Sequence, residues 1–531
     1  MVFLLRLLSL LGVVGAARRR QSESPHVVLL VADDYGFNDV GYHNFPNQTC
    51  SPSKCFATPG IDALAATGVK LENYYVQSVC SPSRSALMTG RLPQFTGIGP
   101  SIINPPSPYG VPASEVLLPQ LLKEHAGYHT HMVGKWHLGF CDPRYTPTAR
   151  GFDEYVGYLL GAQDYYLHTR TDSGFTGYDF RNGTEVLNGT NVVGVYSTEL
   201  FASVAVQMIH DHAALAAEEK LFLYVAFQAV HSPLQAPDSY ASRCSHIGNE
   251  NRKTYCMMVA ALDTAVGNVT AALRESGLFD STLIIFTTDN GGPTSESANN
   301  FPLRGNKGDF FEGGIRGVCF VTAGMNVLAF NQSNANSSYS GLAHITDWYP
   351  LIAAHAGISD SVLLPLNLSG VDQTQAINSG GSLPSPRIRI VHDIVGAGTN
   401  QTSGALRNGT FKLLINSPSA ANDTWRQPPN GFCGGPDDPT VSDDCVEEPP
   451  SAFNGYFLFD LGHDPFEITN LAESQPGILE EMVKIFTEEQ AVAVGDLALT
   501  HVQIDPAADP SGLGGSWGPW NDVNGSLCDY S

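Results

Sequence analysis

The sequence has little positive charge. It holds 28 lysine and arginine residues against 52 aspartate and glutamate residues, which gives a formal net charge of −24 and a pI of about 4.9. Because proteins bind phosphate backbones through basic surfaces, this balance argues against a nucleic-acid partner. An anionic substrate would therefore have to be held by a local basic pocket.

Other absences narrow the class of protein. After residue 17 no stretch approaches the ~20 consecutive apolar residues that a membrane helix needs, so we expect no membrane span. No Cys-x-x-Cys pair occurs among the ten cysteines, which argues against a structural zinc site. Charged residues make up 15% and hydrophobic residues 43% of the 531 positions, a balance that excludes a disordered acidic chain and favours a globular one.

Residues 1–17 have the features of a secretory signal peptide. An apolar run from Leu7 to Val14 precedes small residues suited to cleavage. The basic triplet at 18–20 follows the run instead of preceding it, which leaves an uncleaved anchor as the alternative. Eleven Asn-x-Ser/Thr sequons and ten cysteines also favour a compartment where glycans are added and disulfides persist. We therefore predict a lysosomal or secreted protein, in which Cys244 with Cys256 and Cys433 with Cys445 are candidate local disulfides.

Alternating apolar runs and helical segments predict an α/β fold. The runs typical of buried strands in a parallel sheet are 27–32, 221–229, 283–288 and 318–322. Helical patterns follow Thr58 and extend from Tyr255 to Leu273. After about residue 363, turn-rich stretches separate short strand candidates at 388–392 and 411–415. We predict a main domain with a large mixed, mostly parallel sheet flanked by helices in residues 25–360, and a smaller α+β domain with an antiparallel sheet in 361–531.

Polar residues follow three of the predicted strands directly. Asp33 and Asp34 follow the first strand, His231 follows the second, and Asp289 with Asn290 follows the third. Because ligands collect at the carboxyl ends of parallel strands, these side chains could meet at one edge of the sheet. Three carboxylates and an amide oxygen suit a hard cation such as Ca²⁺ or Mg²⁺ better than zinc. The alternative is that the acidic residues cap helices or form turns, which is their commonest role.

Cys80 begins a second feature, in the stretch CSPSRSALMTGR over residues 80–91. Pro82 suits the first turn of a helix and Gly90 its end, so the pattern predicts a helix with Cys80 at its N-terminus, where free backbone N–H groups attract anions. Such a cysteine could be a nucleophile with a low pKa, an inert buried thiol, or half of a disulfide. General chemistry does not choose among these.

The same stretch resembles the signature of the sulfatase family, Cys-x-Pro-Ser-Arg followed by Thr-Gly-Arg. A second sulfatase signature resembles GYHTHMVGKWH at 127–137. Further stretches, including NDVG, GFDEYVGYLLG, FQAVHSPLQAP, TTDNGG and PLRGNKGDFFEGGIRG, are similar to the arylsulfatase B (N-acetylgalactosamine-4-sulfatase) branch and its arylsulfatase I and J relatives. The resemblance extends from about Pro25 to Pro350 and is thin afterwards. It implies an alkaline-phosphatase-like fold, with residues 25–360 as the catalytic domain.

The resemblance also implies a reaction, the hydrolysis of sulfate esters. In sulfatases the cysteine at the position of Cys80 is converted to formylglycine by the formylglycine-generating enzyme. The hydrated aldehyde attacks sulfur, the alcohol leaves, and the second hydroxyl expels sulfate. The cation would be held by Asp33, Asp34, Cys80, Asp289 and Asn290, and Arg84, Lys135 and Lys307 would bind sulfate oxygens.

Histidines take the proton-transfer roles that the resemblance implies. His137 would accept the proton that lets the sulfate ester collapse, and His231 would protonate the leaving alcohol. Lys135, His231 and Lys307 would also contact the substrate. His392, in the stretch IVHDIVG, falls where a histidine facing the substrate could lie.

Two other functions compete with a sulfatase. A metal-dependent phosphatase or phosphodiesterase of the same superfold typically uses two zinc ions and a Ser or Thr nucleophile, a pattern that Cys80 and the single-cation ligand set oppose. A glycan-binding protein whose cysteine is never matured would keep the pocket without turnover. For the sulfatase we expect an aryl sulfate or a sulfated carbohydrate substrate, with glycosaminoglycan 4-sulfates as the hypothesis that the branch suggests.

Overall fold

The computed structural model describes residues 24–43, 56–99, 101–189, 191–216, 218–327, 332–395, 402–417, 451–494, 504–521 and 528. The predicted signal peptide at 1–17 and the candidate pair of Cys433 with Cys445 lie outside these residues.

Eighteen strands occur in the described part of the chain. In chain order they are β1 (His26–Ala32), β2 (Val69–Leu71), β3 (Tyr74–Tyr75), β4 (Tyr128–Lys135), β5 (Glu154–Tyr158), β6 (Thr169–Asp172), β7 (Phe175–Tyr178), β8 (Arg181–Asn182), β9 (Glu185–Val186), β10 (Lys220–Ala226), β11 (Thr282–Thr288), β12 (Cys319–Ala323), β13 (Ser337–Tyr339), β14 (Ala343–His344), β15 (Arg389–Val395), β16 (Ser403–Asn408), β17 (Phe411–Ile415) and β18 (Tyr456–Asp460).

Ten of these strands form one mixed sheet, in the order β13-β2-β12-β11-β1-β10-β4-β5-β8-β9. Its centre is parallel: β1 pairs in parallel with both β10 and β11, and β4 pairs in parallel with β10 and β5. All seven residues of β1 and of β11 are buried, because helices cover both faces of the sheet. The predicted mixed, mostly parallel sheet is confirmed.

Strand β12 differs from its prediction in direction. The run at 318–322 was predicted to join the parallel set, but β12 is antiparallel to both β11 and β2. The connection from β11 to β12 holds α7 as its one short α-helix, so it is not the sheet-spanning helical crossover that a parallel pair requires.

The α-helices are α1 (Pro59–Ala65), α2 (Cys80–Thr89), α3 (Pro93–Thr96), α4 (Leu118–Ala126), α5 (Ser197–Ala213), α6 (Glu250–Glu275), α7 (Glu312–Ile315), α8 (Trp348–His355), α9 (Asp360–Leu363), α10 (Thr374–Asn378) and α11 (Pro476–Gln490). The predicted helix after Thr58 is α1, and the one predicted over 255–273 is α6. Helix α6 is long and apolar enough to cross a membrane by length and composition. However, 78% of its apolar window is buried inside the fold, as in the core helix of a globular protein.

A second, four-stranded antiparallel sheet follows in the order β15-β16-β17-β18. One of its faces carries Leu406, Leu413 and Leu458, which pack with Phe486 of α11. The other carries Leu414 and the phenylalanines of β18, which pack on Phe310 and Phe311 of the main unit. This sheet therefore has an apolar layer on each face, and both layers include residues of the main unit, Leu92 in the first and the two phenylalanines in the second.

The packing does not follow the predicted boundary at residue 360. Helix α10 contributes Ala376 and Ile377 to the core of the main unit, and the C-terminal segment 504–521 returns to that core through Trp517. The disulfide between Cys141 and Cys528 ties the end of the chain to the same unit. The second disulfide, Cys244 with Cys256, is the predicted local pair.

Candidate active site

The carboxyl ends of four adjacent strands position the candidate site. Asp33 and Asp34 follow β1, Asp289 and Asn290 follow β11, His231 lies in the segment after β10, and Lys135 is the last residue of β4. Because these strands are parallel neighbours, their ends meet at one edge of the sheet. The side chains that the sequence placed at this edge are therefore close enough to interact.

Helix α2 brings Cys80 to the same place. It begins at Cys80 and ends before Gly90, whose φ of 67° gives the left-handed turn that commonly ends a helix. All ten residues of α2 are buried. The Sγ atom of Cys80 lies 3.6 Å from Oδ1 of Asp33, and Cys80 is a free thiol. The predicted helix, with Cys80 at its N-terminus, is confirmed.

Two basic side chains form ion pairs with the carboxylates on the inner side of the site. Nζ of Lys135 donates to Oδ2 of Asp33 at 2.6 Å. Arg84 donates to Oδ2 of Asp289 from Nε at 3.0 Å, and its NH2 group lies 2.8 Å from the same oxygen. All four side chains have no solvent exposure. Buried charges of this kind persist only when they are paired, so these contacts hold the framework of the site.

The remaining polar side chains of the site contact Asp34. Nζ of Lys307 lies 2.7 Å from Oδ1 of Asp34, and Nε2 of His231 lies 3.5 Å from Oδ2. Nδ2 of Asn290 donates to Oδ1 of Asp34 at 2.7 Å. Asp34 itself has a φ of 56°, in the left-handed region that non-glycine residues rarely adopt. Such backbone conformations cluster at functional sites because the surrounding structure must hold them.

The donor set fits a hard divalent cation. Oδ1 of Asn290 is buried without a hydrogen-bond partner, while Nδ2 of the same amide donates to Asp34 and to the carbonyl of Gly291, which fixes the orientation of the amide. Ligand atoms of Asp33, Asp34, Cys80 and His231 lie within 4.8 Å of one another. Carboxylate and amide oxygens are ligand types that Ca²⁺ and Mg²⁺ accept, so these residues could hold such an ion.

The electrostatic field of the site keeps two of its carboxylates charged. Burial raises the pKa of Asp33 and Asp34, but the neighbouring cations outweigh burial and hold both values below the ordinary one; the largest contributions come from Lys135 for Asp33 and from Lys307 for Asp34. The pKa of Asp289 is raised instead, first by burial and then by the charge of Asp33. Three carboxylates so close together therefore depend on positive charge among them.

The thiol of Cys80 is not activated. Burial raises its pKa to about 12, despite the opposing charges of Lys135 and Lys307. Since only the thiolate is a nucleophile, a cysteine in this state would be unreactive near neutral pH. The structure therefore argues against the low-pKa nucleophile and, with Cys80 outside any disulfide of the described residues, leaves a buried thiol at the centre of a charged site.

The two histidines are positioned by different contacts. Nε2 of His137 donates to the carbonyl of Ile103 at 3.2 Å, which leaves Nδ1 as the free acceptor of the neutral ring. Nδ1 of His231 donates to the carbonyl of Ser232 at 2.7 Å, so its Nε2 is the atom directed at Asp34. Burial lowers the pKa of both rings. His137 is therefore a neutral base in the protein without substrate, whereas the Asp34 carboxylate opposes the effect of burial on His231.

The ring of His137 occupies space that a side chain at position 161 would fill. A Cβ atom at Gly161 would lie 2.6 Å from Cε1 and 2.7 Å from Nε2 of His137. A side chain at this position would displace the imidazole. His137 also has a φ of 56°, so both its backbone and its ring are held in place by their surroundings.

A cavity of about 410 Å³ opens onto these groups. Cys80, His137, His231 and Lys307 line its inner end, together with Gly161. This volume is in the range of pockets that hold a small molecule. Six of the predicted catalytic and binding residues, Cys80, Arg84, Lys135, His137, His231 and Lys307, are thus brought together at or directly behind one cavity.

His392 lies elsewhere. It is fully buried in β15, where its ring packs 5.2 Å from that of Tyr75 and 6.1 Å from that of His344. It is not among the residues that line the cavity. Its burial does not support the substrate-facing role that the sequence suggested.

Sequence reasoning missed the outer wall of the cavity. Arg170 and Asp172, on β6, line it together with the segment from Ser101 to Pro105. His231 was assigned to proton transfer and substrate contact, although its ring nitrogen also belongs to the group that could hold a cation. No local sequence pattern marks Arg170 and Asp172, which lie in the segment that connects β5 to α5.

Comparisons with known proteins agree with the geometry. Residues 25–358 match the family model described as Sulfatase. Arylsulfatase J of Mus musculus is 39% identical over 518 residues, which covers 94% of this chain and 81% of that protein. Arylsulfatase A of Homo sapiens is 30% identical over 518 residues, covering 93% of this chain and 90% of that protein.

A solved structure is also similar over most of its length. Ps i-CgsB in complex with k-i-k-neocarrahexaose superposes with a TM-score of 0.71 and 29% identity, covering 89% of this chain and 94% of that chain. The predicted likeness to arylsulfatase J is confirmed, and it extends beyond residue 350, where the sequence motifs thinned out. The arylsulfatase B branch stays a prediction.

Proposed function

This chain belongs to the sulfatase family, and we propose that it removes sulfate from sulfated saccharides through a formylglycine formed from Cys80. The observation that carries the proposal is the place of Cys80: it lies at the first turn of α2, at the inner end of the cavity, among the buried charges of Lys135, Lys307 and Asp33. An anion that enters the cavity meets the N-terminus of α2 and Lys307, with Lys135 behind them.

The chemistry of Cys80 supports maturation over direct thiol catalysis. With a thiol pKa of about 12, an unmodified Cys80 supplies almost no thiolate. Conversion to the aldehyde by the formylglycine-generating enzyme would replace the thiol with a group that can be hydrated at neutral pH. The proposed partner during maturation is therefore that enzyme, acting before the chain folds, because α2 is fully buried in the folded protein.

Three cations would bind the sulfate group. Lys307 lines the cavity directly, whereas Lys135 and Arg84 lie behind it and pair with Asp33 and Asp289. Charge-assisted hydrogen bonds to the sulfate oxygens would hold the ester in line with the nucleophile and stabilise charge as it develops. These three residues form the local basic pocket that an acidic protein needs for an anionic substrate.

Asp33, Asp34, Asp289 and Asn290, with the side chain at position 80, would hold one Ca²⁺ or Mg²⁺. When bound, such an ion supplies Lewis-acid polarisation of a sulfate oxygen and lowers the pKa of a hydroxyl beside it. The unpartnered Oδ1 of Asn290 supports this proposal, because it is an acceptor left free within the acidic group.

His137 and His231 would move the protons. Neutral His137 has Nδ1 free to accept a proton, since its Nε2 is fixed by the carbonyl of Ile103. His231 directs Nε2 toward Asp34 at the cavity, and the Asp34 carboxylate favours the protonated ring that a leaving alcohol would need. Each transfer is worth about 10²- to 10⁴-fold in rate.

The physiological substrate would be a sulfated carbohydrate in the secretory pathway, met in the lysosome or outside the cell. The Ps i-CgsB complex contains an oligosaccharide, which supports a saccharide ligand for this architecture. Two disulfides and the leader-like residues 1–17 support the compartment. For the sulfate position we keep the 4-sulfate of N-acetylgalactosamine as the hypothesis. Defined 4-sulfated and 6-sulfated disaccharides test it, and equal cleavage of both would refute it.

The proposed reaction is tested by offering the purified protein a chromogenic aryl sulfate and the matching aryl phosphate in parallel. We expect consumption of the sulfate alone. Consumption of the phosphate alone would instead support a phosphatase of the same superfold. Consumption of neither, by protein whose Cys80 remains an unmodified thiol, would support a glycan-binding protein without turnover.

A further inference from the structure

A hairpin forms part of the outer wall of the active-site cavity. Strands β6 and β7 pair in antiparallel fashion, and Arg170 and Asp172, two residues apart on β6, both line the cavity. Successive side chains of a strand alternate between its two faces, so residues two apart project to the same side. The hairpin therefore presents one cation and one carboxylate to whatever occupies the cavity.

Arg170 differs from the other cation that lines the cavity. Lys307 is engaged by Asp34 at 2.7 Å and belongs to the reaction centre. Arg170 is paired with Asp172 through a single contact of 3.4 Å, and the two side chains are 38% and 20% exposed. A partly exposed ion pair of this kind is worth about 0–1 kcal/mol, so an anionic ligand can replace Asp172 at little cost. A guanidinium can then bind a carboxylate or sulfate through two parallel hydrogen bonds.

Residues near the C-terminus of the chain contact the hairpin and hold it in place. Nε1 of Trp517 donates to the carbonyl of Arg170 at 3.1 Å, and the backbone of Trp517 donates to the carbonyl of Tyr178 at 2.9 Å. Trp517 is fully buried. A Cβ atom at Gly177 would lie 2.6 Å from the ring of Pro510, so hairpin and segment are in close contact. The backbone that carries Arg170 is thus held at the cavity.

We propose that Arg170 determines substrate specificity by binding a second anionic group of the saccharide, beside the sulfate ester that is cleaved. The group is a uronate carboxylate or a second sulfate, which share the geometry that a guanidinium recognises. Asp172 holds Arg170 in place until the ligand replaces it. This inference rests on the proposed function for the site, and it adds a charge requirement on the part of the substrate that does not react.

The test measures binding in protein with the Cys80→Ala substitution, so that no turnover disturbs it. Three disaccharide probes are titrated by calorimetry: one with a uronate and one sulfate, its carboxyl-reduced form with one sulfate, and the carboxyl-reduced form with two sulfates. Arg170→Gln is compared with Arg389→Gln. The control pair Arg389 and Glu489 is matched, at 3.2 Å with side chains 37% and 24% exposed, and lies away from the cavity.

We expect Arg170→Gln to raise the Kd of at least one doubly charged probe by about 10- to 100-fold, the effect of losing a charge-assisted hydrogen bond. Which of the two probes responds identifies the carboxylate or the second sulfate as the recognised group. The singly charged probe should change by less than about 3-fold, well under one tenfold step of 1.4 kcal/mol. Arg389→Gln should change none of the three, and Arg170→Lys should recover part of the loss.

Equal weakening of all three probes would overturn the inference, because it would indicate damage to the site as a whole. No change for either doubly charged probe, or no binding of those probes to protein with Arg170 intact, would also overturn it. A different measurement tests the proposed function itself. If the unsubstituted protein does not turn over aryl sulfate, the proposed function fails, whereas the ratios of Kd between variants still test the role of Arg170.

Discussion

Two groups of charged side chains among the described residues can be compared, because one borders the active-site cavity and the other has no solvent exposure. The active-site group consists of Asp33, Asp34, Asp289 and the cations Arg84, Lys135 and Lys307. The interface group consists of Glu312, Glu467 and Lys412, between the main unit and the small sheet. Nζ of Lys412 lies 2.9 Å from Oε1 of Glu312 and 2.7 Å from Oε1 of Glu467, and these three side chains have no solvent exposure.

The interface group is closed by its own partners. The hydroxyl of Tyr75 donates to Oε2 of Glu312 at 2.7 Å. The backbone N–H of Glu312 donates to Oε2 of Glu467 at 2.7 Å. The active-site group instead opens onto a cavity of about 410 Å³. Burial and charge are common to both groups, so a function is indicated by the cavity.

The largest effect expected from this difference is on turnover. Cys80→Ala removes the side chain on which the reaction depends, and we expect aryl sulfate turnover to fall by more than about 10⁴-fold, as when a nucleophile is deleted. Thermal unfolding of the purified variant is the control. Turnover within tenfold of the unsubstituted protein would show that the active-site group works without Cys80.

Lys412→Met is the corresponding test of the interface group. It leaves two buried carboxylates without their cation, so we expect the free energy of unfolding to fall by about 3–5 kcal/mol. Urea denaturation followed by circular dichroism measures it. The exposed Lys484, on α11, supplies the control Lys484→Met. Turnover per folded molecule should be unchanged, and a selective loss of turnover would contradict the separation of the two groups.

Cation removal should affect the active-site group alone. At 100 times its Kd, Ca²⁺ should raise the free energy of unfolding by about 2.7 kcal/mol relative to chelated protein, because it binds only the folded state. Asn290→Ala should reduce this increment, since it deletes the free amide oxygen. An equal increment in protein with Asn290→Ala would place the cation elsewhere.

The smallest effect concerns pH. Burial raises the pKa of Glu467 from 4.5 to about 7, although Lys412 opposes the shift. A carboxyl whose pKa is raised on folding stabilises the protein at low pH, and that stability is lost as pH rises from 4.5 toward 7. We expect a loss of about 1–3 kcal/mol across this range, absent from the variant Glu467→Gln. Parallel pH profiles of the two proteins would contradict the assignment.

The sequence was sufficient for the parts of the site that follow from local pattern. Asp33 and Asp289 could be placed because each directly follows an apolar strand, and Cys80 because Pro82 and Gly90 bound its helix. The roles of Arg84, Lys135, His137 and Lys307 came from resemblance, since no periodicity marks them. Their proximity in the structure agrees with those assignments, which remain proposals.

Other features depend on contacts between distant parts of the chain. Arg170 reaches the cavity because Trp517, 347 positions later, holds its strand, and no pattern near either residue indicates this. His392 was placed by its neighbours in sequence, whereas the packing of β15 against Tyr75 buries it. Lys412 lies in a short apolar strand and gives no sign that two glutamates from other segments surround it.

The most direct test of the central claim is the mass of the tryptic peptide from Leu71 to Arg84, taken from protein made in a eukaryotic secretory host. The account predicts a peptide in which Cys80 has lost the elements of H₂S and gained one oxygen, as an aldehyde or its hydrate. An unmodified thiol at Cys80, in a preparation where a known sulfatase is converted, would contradict it and leave this cavity as a binding site without a nucleophile.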